Sequence, residues 1–202
     1  GMRNALNYAL LRDVGRLASR RPVLLKCGIG TTLDEFLCAA DHILCGGNSN
    51  VILCLRGTIG ISRESRASLN VADIPALRQR THLPIVVDPS HVAGTRELVP
   101  AIAASAVVAG ADGLLVEVHH DPDGALCDGR QCLTPEHFRA MMHRLRLLAG
   151  VMGRSFAAST GLARHDEMHP FADLCLEAPP SRPLRAKRDA AQEIARPEIG
   201  AA

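Results

Sequence analysis

Lys26 is the only lysine before residue 187, in a chain that carries 21 arginines and two lysines. It closes the apolar run 22–26, P-V-L-L-K. A compact ammonium at the end of a strand suits a phosphate or a carboxylate, and a desolvated one suits a Schiff base. Arg56 stands at the matching end of the run 51–56, V-I-L-C-L-R, just before Gly57. A guanidinium there can grip phosphate with two prongs or serve in a surface salt bridge. His91, Glu117 and Asp128 supply one imidazole and two carboxylates from the ends or exit loops of later runs. That mixed nitrogen and oxygen set suits a divalent cation with positions left open for substrate. The G-x-G at Gly28 and Gly30 lacks a third glycine and is weak evidence for dinucleotide binding, although it suits close backbone approach to an anion.

The elements that must position these residues repeat about every 30 residues, the rhythm of parallel strands joined by crossover helices. The central stretch is 84–91, P-I-V-V-D-P-S-H, an apolar strand that starts at a proline and exits abruptly into a functional loop. Ahead of the first strand a helix is expected, capped by Asn4, with Leu6, Leu10, Val14 and Leu17 at helical spacing. The four units are a strand at 22–26 with a helix at 32–45, a strand at 51–56 with a helix at 74–80, a strand at 85–88 with a helix near 96–109, and a strand at 114–119 with a helix opened by Thr134, Pro135 and Glu136. Alternation inside the strands puts Lys26 with Leu24, Arg56 with Cys54 and Ile52, Asp88 with Val86, and Glu117 and His119 with Leu115. Each charged residue falls at the C-terminal end of its strand, where open sheets and barrels of parallel strands bind ligands.

Composition limits the alternatives. A chain of 202 residues with 47% hydrophobic content suits one ordinary globular domain. The net charge of +2, no Trp, one Tyr and four Phe give no basic field or stacking platform, so a nucleic-acid partner is not expected. Seven cysteines with no C-x-x-C pair argue against a complete disulfide framework and for a reduced, cytoplasmic protein. No run is long enough to span a bilayer, and no membrane partner is expected. From about residue 150 the periodicity stops and Pro, Ala and Arg dominate, which reads as a disordered tail over 150–202. His165 and His169 are four apart within that tail, but Pro170 follows at once and a solvated segment is the better reading.

Residues 1–149 resemble the 3-deoxy-7-phosphoheptulonate synthases (DAHP synthases), in the branch related to 3-deoxy-octulosonate 8-phosphate synthase. The motifs are G-M-R-N, P-V-L-L-K-C-G, N-V-I-L-C-L-R-G, L-P-I-V-V-D-P-S-H, A-G-A-D-G-L-L-V-E-V-H and L-C-D-G-R-Q-C-L-T-P-E-H-F, in the family's order. The resemblance implies an α/β fold made of parallel βα units of a TIM-type barrel. It also implies a transferase of the shikimate pathway, condensing phosphoenolpyruvate with erythrose 4-phosphate on the route to the aromatic amino acids. On the same grounds Arg3, Lys26 and Arg56 are expected to hold phosphoenolpyruvate. His91, Glu117 and Asp128 are expected to hold a divalent metal such as Mn2+, and His119 to assist proton transfer.

This chain also departs from the family. The first four strands, including one bearing a cysteine metal ligand and a loop bearing a K-P-R clamp, have no counterpart, so the chain reads as the second half of a barrel over 1–149. Four units cannot close an eight-stranded ring. A homo-oligomer or a partner half-barrel is therefore expected. Leu55 stands where the family has Glu, Cys27 where it has Arg, and the loop 58–62 differs. Cys127, beside Asp128, is a candidate replacement thiolate. Two other readings stand beside the synthase: an inactive half-barrel or anion-binding module, and an aldolase using Lys26 as a Schiff base.

Overall fold

The computed structural model describes residues 1–18, 21–61 and 64–157. Residues 158–202, which contain most of the expected tail and the His165 and His169 pair, lie outside the described residues.

Four parallel strands form one sheet in the order β1 (Val23–Lys26), β2 (Val51–Leu55), β3 (Ile85–Val87), β4 (Gly113–Leu114). The helices are α1 (Tyr8–Leu17), α2 (Leu33–Cys45), α3 (Asp73–Arg80), α4 (Pro89–Ala93), α5 (Val99–Val108) and α6 (Pro135–Val151). Strand order equal to chain order, with helices between strands, is the pattern of consecutive βα units of a TIM-type barrel. No helix among the described residues is long and apolar enough to cross a membrane.

One face of the sheet is sealed by helices. Leu25, Leu53, Leu55, Ile85 and Val87 pack with Phe36, Ala39, Ala40 and Ile43 of α2 and with Ile74 and Leu77 of α3. A second cluster joins Val99, Ala103 and Val107 of α5 to Met141, Leu145 and Ala149 of α6. Each fully buried Leu, Ile or Phe contributes about 1.5–3 kcal/mol relative to an exposed one. The opposite face carries the second parity set. Lys26 pairs in register with Cys54, Cys54 with Val86, and Val86 with Gly113. Leu24 on that face is exposed, and Ile52 and Val86 are half-buried.

Local chemistry explains most boundaries. Thr32 caps α2 in a reciprocal box with Glu35, where Thr32 Oγ1 accepts from the Glu35 amide at 3.2 Å and Glu35 Oε2 accepts from the Thr32 amide at 2.9 Å. Thr134 caps α6 with Pro135 in its first turn. Two expectations are corrected. The cap of α1 is Asn7, whose Oδ1 accepts from the Leu10 amide, while Asn4 ends a 3-10 turn over Met2–Asn4. The buried stripe of α1 is Leu11 and Gly15, and Leu6, Leu10 and Leu17 are exposed. Gly15 sets that orientation, because a Cβ there would lie 2.3 Å from the Ile43 carbonyl oxygen of α2. The fourth strand is also shorter than its sequence pattern. Regular pairing ends at Leu114, and a single parallel bridge between Val118 and Leu133 follows.

Candidate active site

Lys26, Arg56 and Asp88 emerge at the C-terminal ends of β1, β2 and β3. The backbone is held there by Cys27 N–H donating to Cys54 O at 2.9 Å and Asp88 N–H donating to Leu55 O at 2.8 Å. The Asp88 side chain is 1% exposed and lies between two functional groups. Its Oδ2 accepts from Lys26 Nζ at 2.9 Å and lies 2.9 Å from His91 Nδ1. Its Oδ1 accepts from the His91 amide at 3.0 Å, which caps α4. The stretch D-P-S-H, expected to be a loop, is therefore a short helix with Asp88 as N-cap and Pro89 in its first turn, and it aims His91 back over the strand ends.

Arg56 is 3% exposed, and burial lowers its pKa even though the Asp88 carboxylate opposes that shift. Its hydrogen-bond contact among the described residues is the thioether of Met2. A buried guanidinium normally requires a charged partner. Arg3 lies in the same N-terminal turn as Met2, is exposed, and has no hydrogen bond or ion pair among the described residues. Of Lys26, Arg56 and Arg3, Lys26 is the one with a direct carboxylate ion pair among the described residues.

His91, Glu117 and Asp128 come together. Each offers a donor atom within 4.8 Å of the others. His91 Nε2 and Glu117 Oε1 are 3.7 Å apart, too far for a hydrogen bond. Every member is held from behind. Asp88 backs His91; Gln131, 2% exposed, donates Nε2 to Glu117 Oε2 at 2.7 Å. Arg66 donates to Asp128 Oδ1 and to Gln131 Oε1, both at 3.2 Å. Ser90 Oγ accepts from the Glu117 amide at 3.0 Å, which ties the segment beyond β4 to α4. Asp128 adopts the left-handed backbone at φ 52°, uncommon for a residue with a Cβ and enriched at functional sites. One imidazole and two carboxylates, each with an outer partner, fit a divalent cation.

The other sequence candidates fall outside this group. His119 is tied down within its own turn, with Nδ1 2.6 Å from Asp121 O, and its ring stacks on His120 at 4.6 Å. Cys127 is exposed and is not one of the three clustered donors. Burial pushes the Cys27 thiol up to about 11 and the Cys54 thiol up to about 12, so both stay protonated near neutral pH. Sequence reasoning placed Asp88 at the ligand-binding strand ends but not as the partner of Lys26 and His91, and it missed Arg66 and Gln131. Asp88 alone carried a signal, its place as a cap before a proline.

A sequence model of the DAHP synthetase I family matches residues 1–149. The chain is 42% identical over 153 residues to the phospho-2-dehydro-3-deoxyheptonate aldolase of Thermotoga maritima, covering 76% of this chain and 45% of that protein. It is 34% identical over 110 residues to the 2-dehydro-3-deoxyphosphooctonate aldolase of Desulfosudis oleivorans, covering 49% and 39%. Among solved structures, a truncated form of 3-deoxy-D-arabino-heptulosonate 7-phosphate synthase from Thermotoga maritima superposes with a TM-score of 0.73 at 41% identity, covering 77% of this chain and 58% of that one. The chain spans about half the length of the curated relatives it matches.

Proposed function

The chain belongs to the DAHP synthetase I family, and on that footing we propose that it carries the phosphoenolpyruvate and metal sites of a synthase that joins phosphoenolpyruvate to erythrose 4-phosphate. The observation that carries the reading is the meeting of two sets at the strand ends. Buried Arg56 and the Asp88-held Lys26 stand on one side, and the three clustered donors His91, Glu117 and Asp128 on the other.

Arg56, Lys26 and Arg3 bind the phosphate and carboxylate of phosphoenolpyruvate. Arg56 gives the strongest contact, because a guanidinium in a desolvated position, with no direct carboxylate ion pair among the described residues, gains most from an arriving anion. His91, Glu117 and Asp128 hold a divalent cation such as Mn2+. When bound, that cation acts as a Lewis acid on the aldehyde carbonyl of the second substrate. The enol carbon of phosphoenolpyruvate then forms the new bond to that carbonyl carbon, water adds at the neighbouring carbon, and phosphate leaves. Residues 1–149 serve as four βα units of a barrel that a second copy or a partner half completes, in the cytoplasm. His119, anchored in its turn, is proposed only as a proton-transfer assistant at the rim.

The experiment is phosphoenolpyruvate consumption by the full chain with erythrose 4-phosphate, with Mn2+ in one sample and EDTA in the other. Metal-dependent loss is expected once the ring is complete, either by self-assembly or on adding the first four βα units of a relative. No consumption in any of these samples sinks the synthase reading.

A further inference from the structure

Asp88 is nearly inaccessible, yet it touches a proposed substrate cation and a proposed metal ligand at once. A helix cap alone would require only its Oδ1, which accepts from the His91 amide. The carboxylate does more than that. Oδ1 is also 3.1 Å from His91 Nδ1, and Oδ2 is 2.9 Å from both His91 Nδ1 and Lys26 Nζ. A carboxylate offers only acceptors, so Nδ1 must be the donor of the contact. With the proton fixed on Nδ1, Nε2 is the ring nitrogen left bare, and Nε2 is the atom that faces Glu117.

We propose that Asp88 is a positioning residue serving both halves of the site: it holds His91 in the tautomer that presents a bare Nε2 to the metal, and it orders the Lys26 ammonium while partly neutralising it. The inference rests on the reading of His91, Glu117 and Asp128 as a metal site, and it concerns a residue that touches neither metal nor substrate. Its two contacts have opposite consequences when Asp88 becomes Asn. The amide keeps the cap, because Asn is as good an N-cap as Asp. Its NH2 group, however, now competes for the side facing Nδ1 and Lys26. A donor opposite Nδ1 favours the tautomer with the proton on Nε2, and a protonated Nε2 cannot bind a cation. At Lys26, loss of the neighbouring negative charge leaves the ammonium more available to an anion.

The test uses the full 202-residue chain. Mn2+ binding is followed by the paramagnetic resonance of the free ion, and phosphoenolpyruvate binding by calorimetry in EDTA. For Asp88→Asn the Mn2+ Kd is expected to rise about 10- to 100-fold, the range for losing an outer partner of a ligating histidine. The phosphoenolpyruvate Kd is expected to stay unchanged or fall. Equal Mn2+ affinity in parent and variant overturns the proposal. A parallel weakening of both ligands also overturns it, because that is the signature of general structural damage.

A measurement on the parent chain needs no variant to fold. Nitrogen-15 spectra of the metal-free protein, with the His91 signals assigned by their loss in His91→Ala, are expected to show a proton on Nδ1. A bare Nδ1 overturns the role of Asp88 outright. Should the parent bind neither Mn2+ nor phosphoenolpyruvate, the reading of the site itself fails, and the nitrogen spectra decide on Asp88 alone.

Discussion

Lys26 and Arg56 stand at the ends of β1 and β2, where the parallel ladder fixes the backbone, whereas His91, Glu117 and Asp128 stand on a five-residue helix, on the segment beyond β4 and on a left-handed residue. The cations inherit their positions from the sheet, and Lys26 lies level with Cys54 in the register. The donors lack such a frame and are held by side chains instead: Asp88 behind His91, Gln131 behind Glu117, Arg66 behind Asp128. An anion tolerates variation in the distance to a point charge, because Coulomb energy varies slowly with distance. Coordination bonds at about 2.0–2.2 Å tolerate very little. The part of the site that needs the tighter geometry is the part built from more side-chain hydrogen bonds.

Asp88 touches both regions, but mutations of each region's own members should separate them. Glu117→Gln removes a charged donor and is expected to weaken Mn2+ binding by more than about 100-fold, beyond the 10- to 100-fold typical of an outer partner. Phosphoenolpyruvate affinity in EDTA should hold. Arg56→Met is expected to do the reverse, raising the phosphoenolpyruvate Kd about 10- to 100-fold, the worth of a charged hydrogen bond, while Mn2+ binding stays intact. Titration of both ligands against both variants checks this. If either variant weakens both ligands alike, the division into two regions is wrong.

The same division governed what could be read from sequence. Period-2 alternation placed Lys26 and Cys54 on one face, and the register agrees. The three clustered donors were recognisable by residue type, but not the devices that hold them. Gln131 and Arg66 meet across 65 positions, and no local pattern announces such a contact. The D-P-S-H stretch has the Asp and Pro of a helix start, but α4 is only five residues long and shows no apolar period. In α1 the leucine spacing marks a helix but not its buried side. A glycine at 15 sets the contact with α2 by admitting the Ile43 carbonyl, and a pattern of apolar side chains does not register a missing one.

A smaller effect is expected at Gln131. Gln131→Ala frees one oxygen of Glu117 and removes an acceptor from Arg66, without touching a donor atom. Mn2+ affinity should fall about tenfold, at the lower end of the range for outer partners, with phosphoenolpyruvate binding unaffected. Since Gln131 is 2% exposed, melting should be recorded alongside, and affinity should be compared well below the transition. Unchanged Mn2+ affinity would mean that the Val118 and Leu133 bridge, and not Gln131, fixes Glu117.

The smallest effect is silent at neutral pH and compares the two faces of the sheet through their cysteines. Cys27 sits with the helix-facing core, and Cys54 on the face of Lys26. Burial is the main cause that raises both thiols, to about 11 and about 12, above an ordinary value of 9.0. The nearby Arg56 opposes the rise in each case. Well below pH 9 the thiols are neutral in both folded and unfolded chains, so their contribution to stability is constant there. Between pH 9 and about 11 the unfolded chain releases a proton from each thiol while the folded chain does not. Unfolding is therefore favoured by about 1.4 kcal/mol per thiol for each pH unit. Cys27→Ala should remove one such share of the slope in denaturant titrations at pH 8.5, 9.5 and 10.5, even if its stability at pH 8.5 is lower than the parent's. Cys54→Ala should remove a similar share over a window that extends one unit higher. An identical slope in parent and Cys27→Ala would mean that water reaches the Cys27 thiol behind the helices.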